Sequence, residues 1–220
     1  MNGNGRKKGT VLVTGGTRRI GKAISDALRN AGWNVLTSSH VPDSGADFIR
    51  DLSDPSEAVK LYADALAAAP EDFCAIVNNA ALFTGDADAL EAVNLTAPRK
   101  LTMLLGGREG VKCSVVNILD SRTLGPSAAS DSAYARTKRA LLSDTRRYAA
   151  MFAANMRVNA VAPGPVLPPE NVHEPAGEML LERRPTPEDV AAAVLYLLEA
   201  ESVTGTVIPV DAGQHLLADA

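Results

Sequence analysis

Val11-Leu12-Val13-Thr14-Gly15-Gly16-Thr17-Arg18-Arg19-Ile20-Gly21 decides the fold of this chain. A short apolar run leads into a glycine turn, and an amphipathic stretch opens at Arg18. A strand, a tight turn and a helix N-terminus in succession make an anion site, because backbone N–H groups converge there and the helix dipole favours negative charge. Outward from this segment, apolar runs alternate with helical patterns. Strands are predicted at Thr10–Thr14, Asn34–Ser38, Asp47–Arg50, Cys74–Asn78, Cys113–Leu119, Arg157–Val161 and Thr206–Val210. Helices are predicted at Arg18–Ala31, Pro55–Ala69, Ala87–Leu105, Ser132–Ala154 and Pro187–Ala200. Such alternation means an α/β fold: a single doubly wound parallel sheet of about seven strands with helices on both faces.

Two helix starts carry local signals. Asp54 before Pro55, and Thr186 before Pro187, read as N-caps with proline at the first helical position. Glu57 then falls in a first turn, where a carboxylate suits the dipole. One connection departs from the pattern. Only His40–Ala46 separate the second and third strands, whereas a parallel crossover usually takes a dozen residues and a helix. Seven extended residues reach roughly 23 Å, enough to run back past a short strand. The helix expected there is therefore predicted to be missing.

The 220 residues fit one domain, residues 10–220, behind a flexible tail of residues 1–9 that is rich in Gly, Asn and Lys/Arg. A hydrophobic fraction of 46% and a charged fraction of 22% are ordinary globular values. A net charge of −4 gives no electrostatic reason to expect nucleic acid. No apolar stretch follows the basic start as in a signal peptide, and no run approaches the roughly 18 residues of a membrane span. Cys74 and Cys113 each lie in an apolar run and read as buried free thiols, which fits a cytoplasmic protein. No metal site is expected.

Downstream, Tyr134-Ala135-Arg136-Thr137-Lys138 sets a phenol and an ammonium four residues apart, on one face of a helix. A nucleotide site combined with an acid tuned by a neighbouring cation points to hydride transfer.

With these residues in place, the chain resembles the short-chain dehydrogenase/reductase family along nearly its whole length. The resemblance is carried by Thr14, Gly15 and Gly21, by Asn78-Asn79-Ala80 with Ala81 in place of a glycine, and by Asn94. It continues through Tyr134 and Lys138, through Val158–Val166, and through Val203-Thr204-Gly205 and Val210-Asp211-Ala212-Gly213. Within the family the chain looks most like pteridine and dihydromonapterin reductases. Arg19 stands where most members have a small residue, Phe83 matches the aromatic that stacks on the pterin, and Asp120 falls where most members have the catalytic serine. The Asp120–Tyr134 spacing is one residue longer than usual, which leaves Ser121 as a second candidate for that place.

The resemblance implies a Rossmann-type reductase that takes NADP(H). Gly15, Thr17, Arg18, Arg19, Ile20 and Gly21 would hold the pyrophosphate side, with Arg18 on the 2′-phosphate. Ser38, Ser39 and His40 follow the second strand where an NAD enzyme would carry an acid. Asp51 and Leu52 would lie near the adenine, Asn79, Ala80 and Ala81 would contact the cofactor, and Pro163, Gly164 and Val166 would line the nicotinamide. Tyr134 would be the proton donor, Lys138 would stabilise its phenolate, and Asn94 would prop a water chain to Lys138. Asp120, as a protonated or relaying carboxyl, would serve a ring nitrogen. Arg19, Phe83, Asp120 and Tyr134 would contact a small-molecule substrate of the dihydropterin type. The alternatives are a carbonyl or 3-oxoacyl reductase with Ser121 in the serine role, and a non-catalytic NADP-binding regulator. Family members assemble as dimers or tetramers through the helices after the fourth and fifth strands, so a homo-oligomer is expected. The second of these helices carries Arg136, Arg139, Arg146 and Arg147, a cationic outer face.

Overall fold

A computed structural model describes residues 8–125, 132–167 and 177–217. The elements run β1 (Thr10–Thr14), α1 (Arg19–Asn30), β2 (Asn34–Ser39), β3 (Phe48–Ile49), α2 (Glu57–Ala68), β4 (Phe73–Asn78), α3 (Ala87–Glu91) and α4 (Ala97–Gly106). They continue with β5 (Cys113–Ile118), α5 (Ala133–Met151), β6 (Met156–Pro163), α6 (Pro187–Glu199) and β7 (Val207–Val210). Among the described residues the sheet has seven strands, all parallel, in the order β3-β2-β1-β4-β5-β6-β7. The expected doubly wound sheet is therefore present.

Its central strands bury both faces, so their side chains divide by parity between two cores. Leu12, Ile76, Val115 and Val158 meet Leu61, Tyr62, Leu101, Leu105 and Tyr148 from α2, α4 and α5. Val11, Val13, Ala75, Val77, Val116 and Val161 meet Ile24 and Leu28 of α1 and Val190, Val194 and Leu197 of α6. Each fully buried Leu, Ile or Val contributes about 1.5–3 kcal/mol of transfer free energy, which pins the helices against the sheet and fixes the loops between them.

The connection between β2 and β3 lacks a helix, as its length requires. Asp47 replaces the missing packing: its carboxylate accepts the Thr37 N–H at 2.7 Å and the Thr37 hydroxyl at 2.8 Å. Four details differ from expectation. β3 is only two residues long. Helix α2 starts at Glu57 with Ser56 as its cap, and Asp54 instead accepts the Ser56 N–H at 2.8 Å in the turn before it. The predicted Ala87–Leu105 helix is interrupted by a π-helical turn, Ala92–Thr96, between α3 and α4. The tail expected to end at residue 9 is already tied down there, since Lys8 pairs with Glu199 and the Gly9 carbonyl accepts the Asn34 N–H at 3.0 Å. Residues 1–7 of that tail lie outside the described residues. Thr186 caps α6 as predicted, in a reciprocal capping box with Asp189.

Cys113 is buried and Cys74 half-buried, and both are free thiols. Burial pushes the Cys113 thiol up to about 11. No helix among the described residues is long and apolar enough to cross a membrane.

Candidate active site

The strand order reverses between β1 and β4, and a crevice opens at the carboxyl ends of strands on either side of such a point. Here the chain is stitched across the crevice. The Thr14 hydroxyl accepts the N–H groups of Asn79 and Ala80, each at 3.0 Å, and the Asn79 amide donates to the carbonyls of Thr14 and Gly15 at 2.9 and 3.1 Å. Gly15 takes φ 62°, and a Cβ at Gly21 would lie 2.0 Å from the Gly15 carbonyl oxygen. Only glycine lets the helix start close this tightly over the turn. Arg19 adopts φ 51°, a left-handed conformation that costs a non-glycine residue roughly 1–2 kcal/mol. Strain of this kind gathers at ligand sites.

A cleft of about 450 Å³ lies over this turn. It is lined by Gly15, Thr17, Arg18, Arg19, Ile20, Gly21, Ser38, Ser39, His40, Asp51, Leu52, Asn79, Ala80 and Ala81, all expected from the sequence. Asp51 is held below the usual carboxylate range by the Ser53 N–H it accepts at 3.0 Å. Pro163, Gly164 and Val166 are not among the lining residues. Pro163 ends β6, the Gly164 N–H bonds to the Val210 carbonyl at 3.0 Å, and Val166 sits in the apolar core beside α6. Arg50, Ser53, Leu82, Ala89 and Val93 line the cleft unexpectedly. The guanidinium of Arg50 is already matched by carboxylates, with two bonds to Asp64 at 2.9 and 2.7 Å and one to Glu57 at 3.3 Å.

The second cluster is built by β5, α5 and the loop after β4. Tyr134 lies in the first turn of α5, and its hydroxyl donates to Asp120 Oδ2 at 3.0 Å. The Phe83 ring meets the Tyr134 ring edge-on, with centroids 4.9 Å apart. Lys138, one turn further along α5, is 3% exposed. Its ammonium donates to the Ile118 carbonyl at 2.8 Å and stands 5.8 Å from the Tyr134 ring centroid. Burial pulls its pKa down to about 8, against the attraction of Asp120. Asn94 lies in the π-helical turn, Ala92–Thr96. Its amide accepts the Leu82 N–H and donates to the Leu82 carbonyl, both at 2.8 Å, and reaches the Thr137 hydroxyl at 3.4 Å. Asn94 therefore anchors the loop that carries Phe83.

Asp120 caps a 3-10 turn, Ser121–Thr123, and is bound by Arg122. The Arg122 N–H and Nε donate to Oδ1 at 2.9 and 3.1 Å, and a terminal nitrogen donates to Oδ2 at 3.0 Å. Burial alone would push the Asp120 carboxyl up, but Arg122 and the Tyr134 hydroxyl outweigh it and hold it below the usual carboxylate range. That direction goes against the protonated form of Asp120 and with the relaying one, the two alternatives left open by the sequence. Ser121, the rival for this place, is buried, and its hydroxyl has no hydrogen-bond partner among the described residues. Arg122 was not foreseen. Its signal is the spacing of two residues after an aspartate, which closes an Asx turn and brings the next side chain back onto the carboxylate.

Similarity to known proteins agrees with this geometry. A family model described as enoyl-(acyl carrier protein) reductase matches residues 15–215. Protein FixR of Bradyrhizobium diazoefficiens is 32% identical over 242 residues, covering 94% of this chain and 86% of the relative. The dihydromonapterin reductase of Escherichia coli strain K12 is 28% identical over 234 residues, covering 94% of this chain and 96% of the relative. Among solved structures, FolM alternative dihydrofolate reductase 1 from Brucella canis, complexed with NADP, is 32% identical, covers 98% of both chains and superposes with a TM-score of 0.82.

Proposed function

This chain belongs to the short-chain dehydrogenase/reductase family, and we propose that it is an NADPH-dependent reductase of a pterin-like C=N bond. The observation that carries the reading is the contact of the Tyr134 hydroxyl with a carboxylate, Asp120, beneath the edge of the Phe83 ring. A hydroxyl in the place of Asp120 would steady a ketone oxygen. A carboxylate repels the oxyanion that forms there and suits a nitrogen heterocycle instead.

The cofactor assignment rests on fit. Gly21 lets the first turn of α1 close directly on Gly15, which brings the helix N-terminus to the cleft where its N–H groups suit a pyrophosphate. Ser38, Ser39 and His40 bring no acid to the ribose, and Arg18 and Arg19 supply cations at the same cleft. That combination accepts the 2′-phosphate of NADP. The dihydromonapterin reductase and NADP-complexed relatives support both halves of the assignment.

NADPH, when bound, supplies the hydride. The protein supplies the proton and the orientation. Tyr134 gives its phenolic proton to the ring nitrogen as hydride reaches the adjacent carbon, and the buried Lys138 ammonium favours the phenolate left behind. Asp120 orients the phenol beforehand and returns a proton to it from solvent. Phe83 gives a flat ring a stacking surface. Following the family, the molecule works as a homo-oligomer through α4 and α5.

Nicotinamide absorbance followed with a dihydropterin panel tests the function. NADPH-dependent turnover of a dihydropterin is the expected result. Turnover of a 3-oxoacyl thioester with none of any dihydropterin would replace this reading with a general carbonyl reductase.

A further inference from the structure

The reaction as described leaves Arg122 without a task, yet among the described residues none is more closely bound to Asp120. Main chain and side chain of Arg122 together fill Oδ1, and its terminal nitrogen shares Oδ2 with the Tyr134 hydroxyl. The same guanidinium lies over the Phe83 ring, 5.5 Å from its centroid, within cation–π range. Phe83 in turn meets Tyr134. Arg122 thus touches two of the groups that surround the reacting ring and is one bond removed from the third.

We propose that Arg122 is a positioning residue that holds Asp120 as a carboxylate facing Tyr134, and thereby reserves this wall of the site for a substrate edge that donates an N–H. The inference rests on the reading of the site as a pterin-type reductase and specifies what that site selects. An ionised carboxylate only accepts hydrogen bonds. The Tyr134 hydroxyl holds the remaining position on Oδ2, so when it turns to the substrate a ring N–H or amino group takes that place, whereas a carbonyl oxygen meets like charge. Among the described residues, the groups facing Asp120 are Arg122 from its own 3-10 turn and Tyr134 and Lys138 from α5. Lys138 donates to the Ile118 carbonyl and acts on Asp120 through space, whereas Arg122 makes the direct contact. The contact is a two-nitrogen fork, which lysine cannot reproduce although it keeps the charge. The Arg122 side chain is 46% exposed, so solvent weakens the Coulomb attraction, and the geometry of the fork matters more than the charge alone.

Arg122→Gln and Arg122→Lys test this against wild type. The first measurement is the titration of the Asp120 carboxyl by infrared absorbance, with Asp120→Asn as the blank; it needs no turnover. Arg122→Gln should raise the midpoint, and Arg122→Lys should raise it by less. The second is kcat/KM for dihydrobiopterin relative to a cyclic ketone that lacks N–H. In Arg122→Gln the acid limb of the dihydrobiopterin profile should move to higher pH and the preference for dihydrobiopterin should fall, with partial recovery in Arg122→Lys. An unmoved carboxyl midpoint in Arg122→Gln overturns the clamp. A moved midpoint with an unchanged preference overturns the selectivity. A wild type that reduces no dihydropterin overturns the reductase reading, while the titration still decides the clamp.

Discussion

The side-chain amide of Asn94 and the backbone of Leu82 form a closed pair, each donating to the other at 2.8 Å. The pair exists because the helix after β4 widens at Ala92–Thr96, which turns a buried polar side chain toward the loop instead of along the helix. π-Helical turns of this kind often mark functional sites. Phe83 follows Leu82 directly, so the ring that faces Tyr134 is held by the bond its neighbour makes.

Asn94→Ala should therefore act in two ways. It strands the half-buried Leu82 N–H, at a cost of about 1 kcal/mol in urea unfolding. It also frees the Phe83 loop, so KM for a dihydropterin should rise more than kcat falls. A variant with wild-type stability and wild-type KM would show that the pair holds nothing.

Tyr134→Phe keeps the ring against Phe83 and removes the only phenol bonded to Asp120 among the described residues. Single-turnover hydride transfer should fall by roughly 10²–10⁴-fold, the usual size of general acid catalysis. NADPH affinity, set at the glycine turn, should hold. Undiminished turnover would assign the proton to another group.

Arg18→Ala tests the cofactor. Loss of one charge-assisted contact to a phosphate weakens binding by about 1.5–3 kcal/mol. The loss should fall on NADPH and leave NADH almost unaffected in calorimetry, since NADH lacks the 2′-phosphate. Equal losses for the two would place Arg18 on the shared pyrophosphate.

Gly21→Ala asks how tightly the turn is built. The added methyl would lie 2.0 Å from the Gly15 carbonyl oxygen and 2.6 Å from the Asn79 amide, so α1 has to move. Overpacking of this sort costs about 1–3 kcal/mol, and NADPH binding should fall along with stability. A variant that keeps both would mean that the turn yields freely.

Much of this was legible in the sequence, for physical reasons that differ by element. The strands were readable because a parallel sheet buried on both faces needs continuous apolar runs, as in Val11-Leu12-Val13 and Ile76-Val77. The missing crossover helix was readable from chain length alone. The start of α2 was misplaced because Asp54 and Ser56 are both good caps, and only tertiary packing decides which one begins the helix. Arg122 escaped notice because its role depends on a turn that folds a side chain back two residues, a geometry without periodicity. The choice between a protonated and a relaying Asp120 stayed open in the sequence for the same reason, since that arginine bears on it. The segment 126–131, which bears on the Asp120–Tyr134 spacing, lies outside the described residues, as does 168–176.

Lys138 separates stability from function most sharply. Its pKa falls from 10.5 to about 8 because the ammonium is fully buried, with only part of the cost returned by Asp120. A difference of this size corresponds to about 3 kcal/mol, set against roughly 1 kcal/mol for the bond to the Ile118 carbonyl. Lys138→Met should accordingly make the ligand-free protein more stable by about 2 kcal/mol at pH 7, while abolishing hydride transfer. The pH dependence has a definite sign. The folded chain gives up this proton near pH 8 and the unfolded chain keeps it to about 10.5, so the unfolded state binds more protons between those values and wild-type stability gains from this group as pH rises. The burial penalty is complete below pH 8 and gone above about 10.5, and the advantage of Lys138→Met should fade across the same window. Activity should run the other way. Wild-type kcat/KM needs the ammonium beside the Tyr134 phenolate and should decline as pH passes about 8. Urea unfolding of both proteins at pH 7 and pH 10 decides the matter: a Lys138→Met protein less stable than wild type at pH 7 would mean that the buried cation is a net support of the fold.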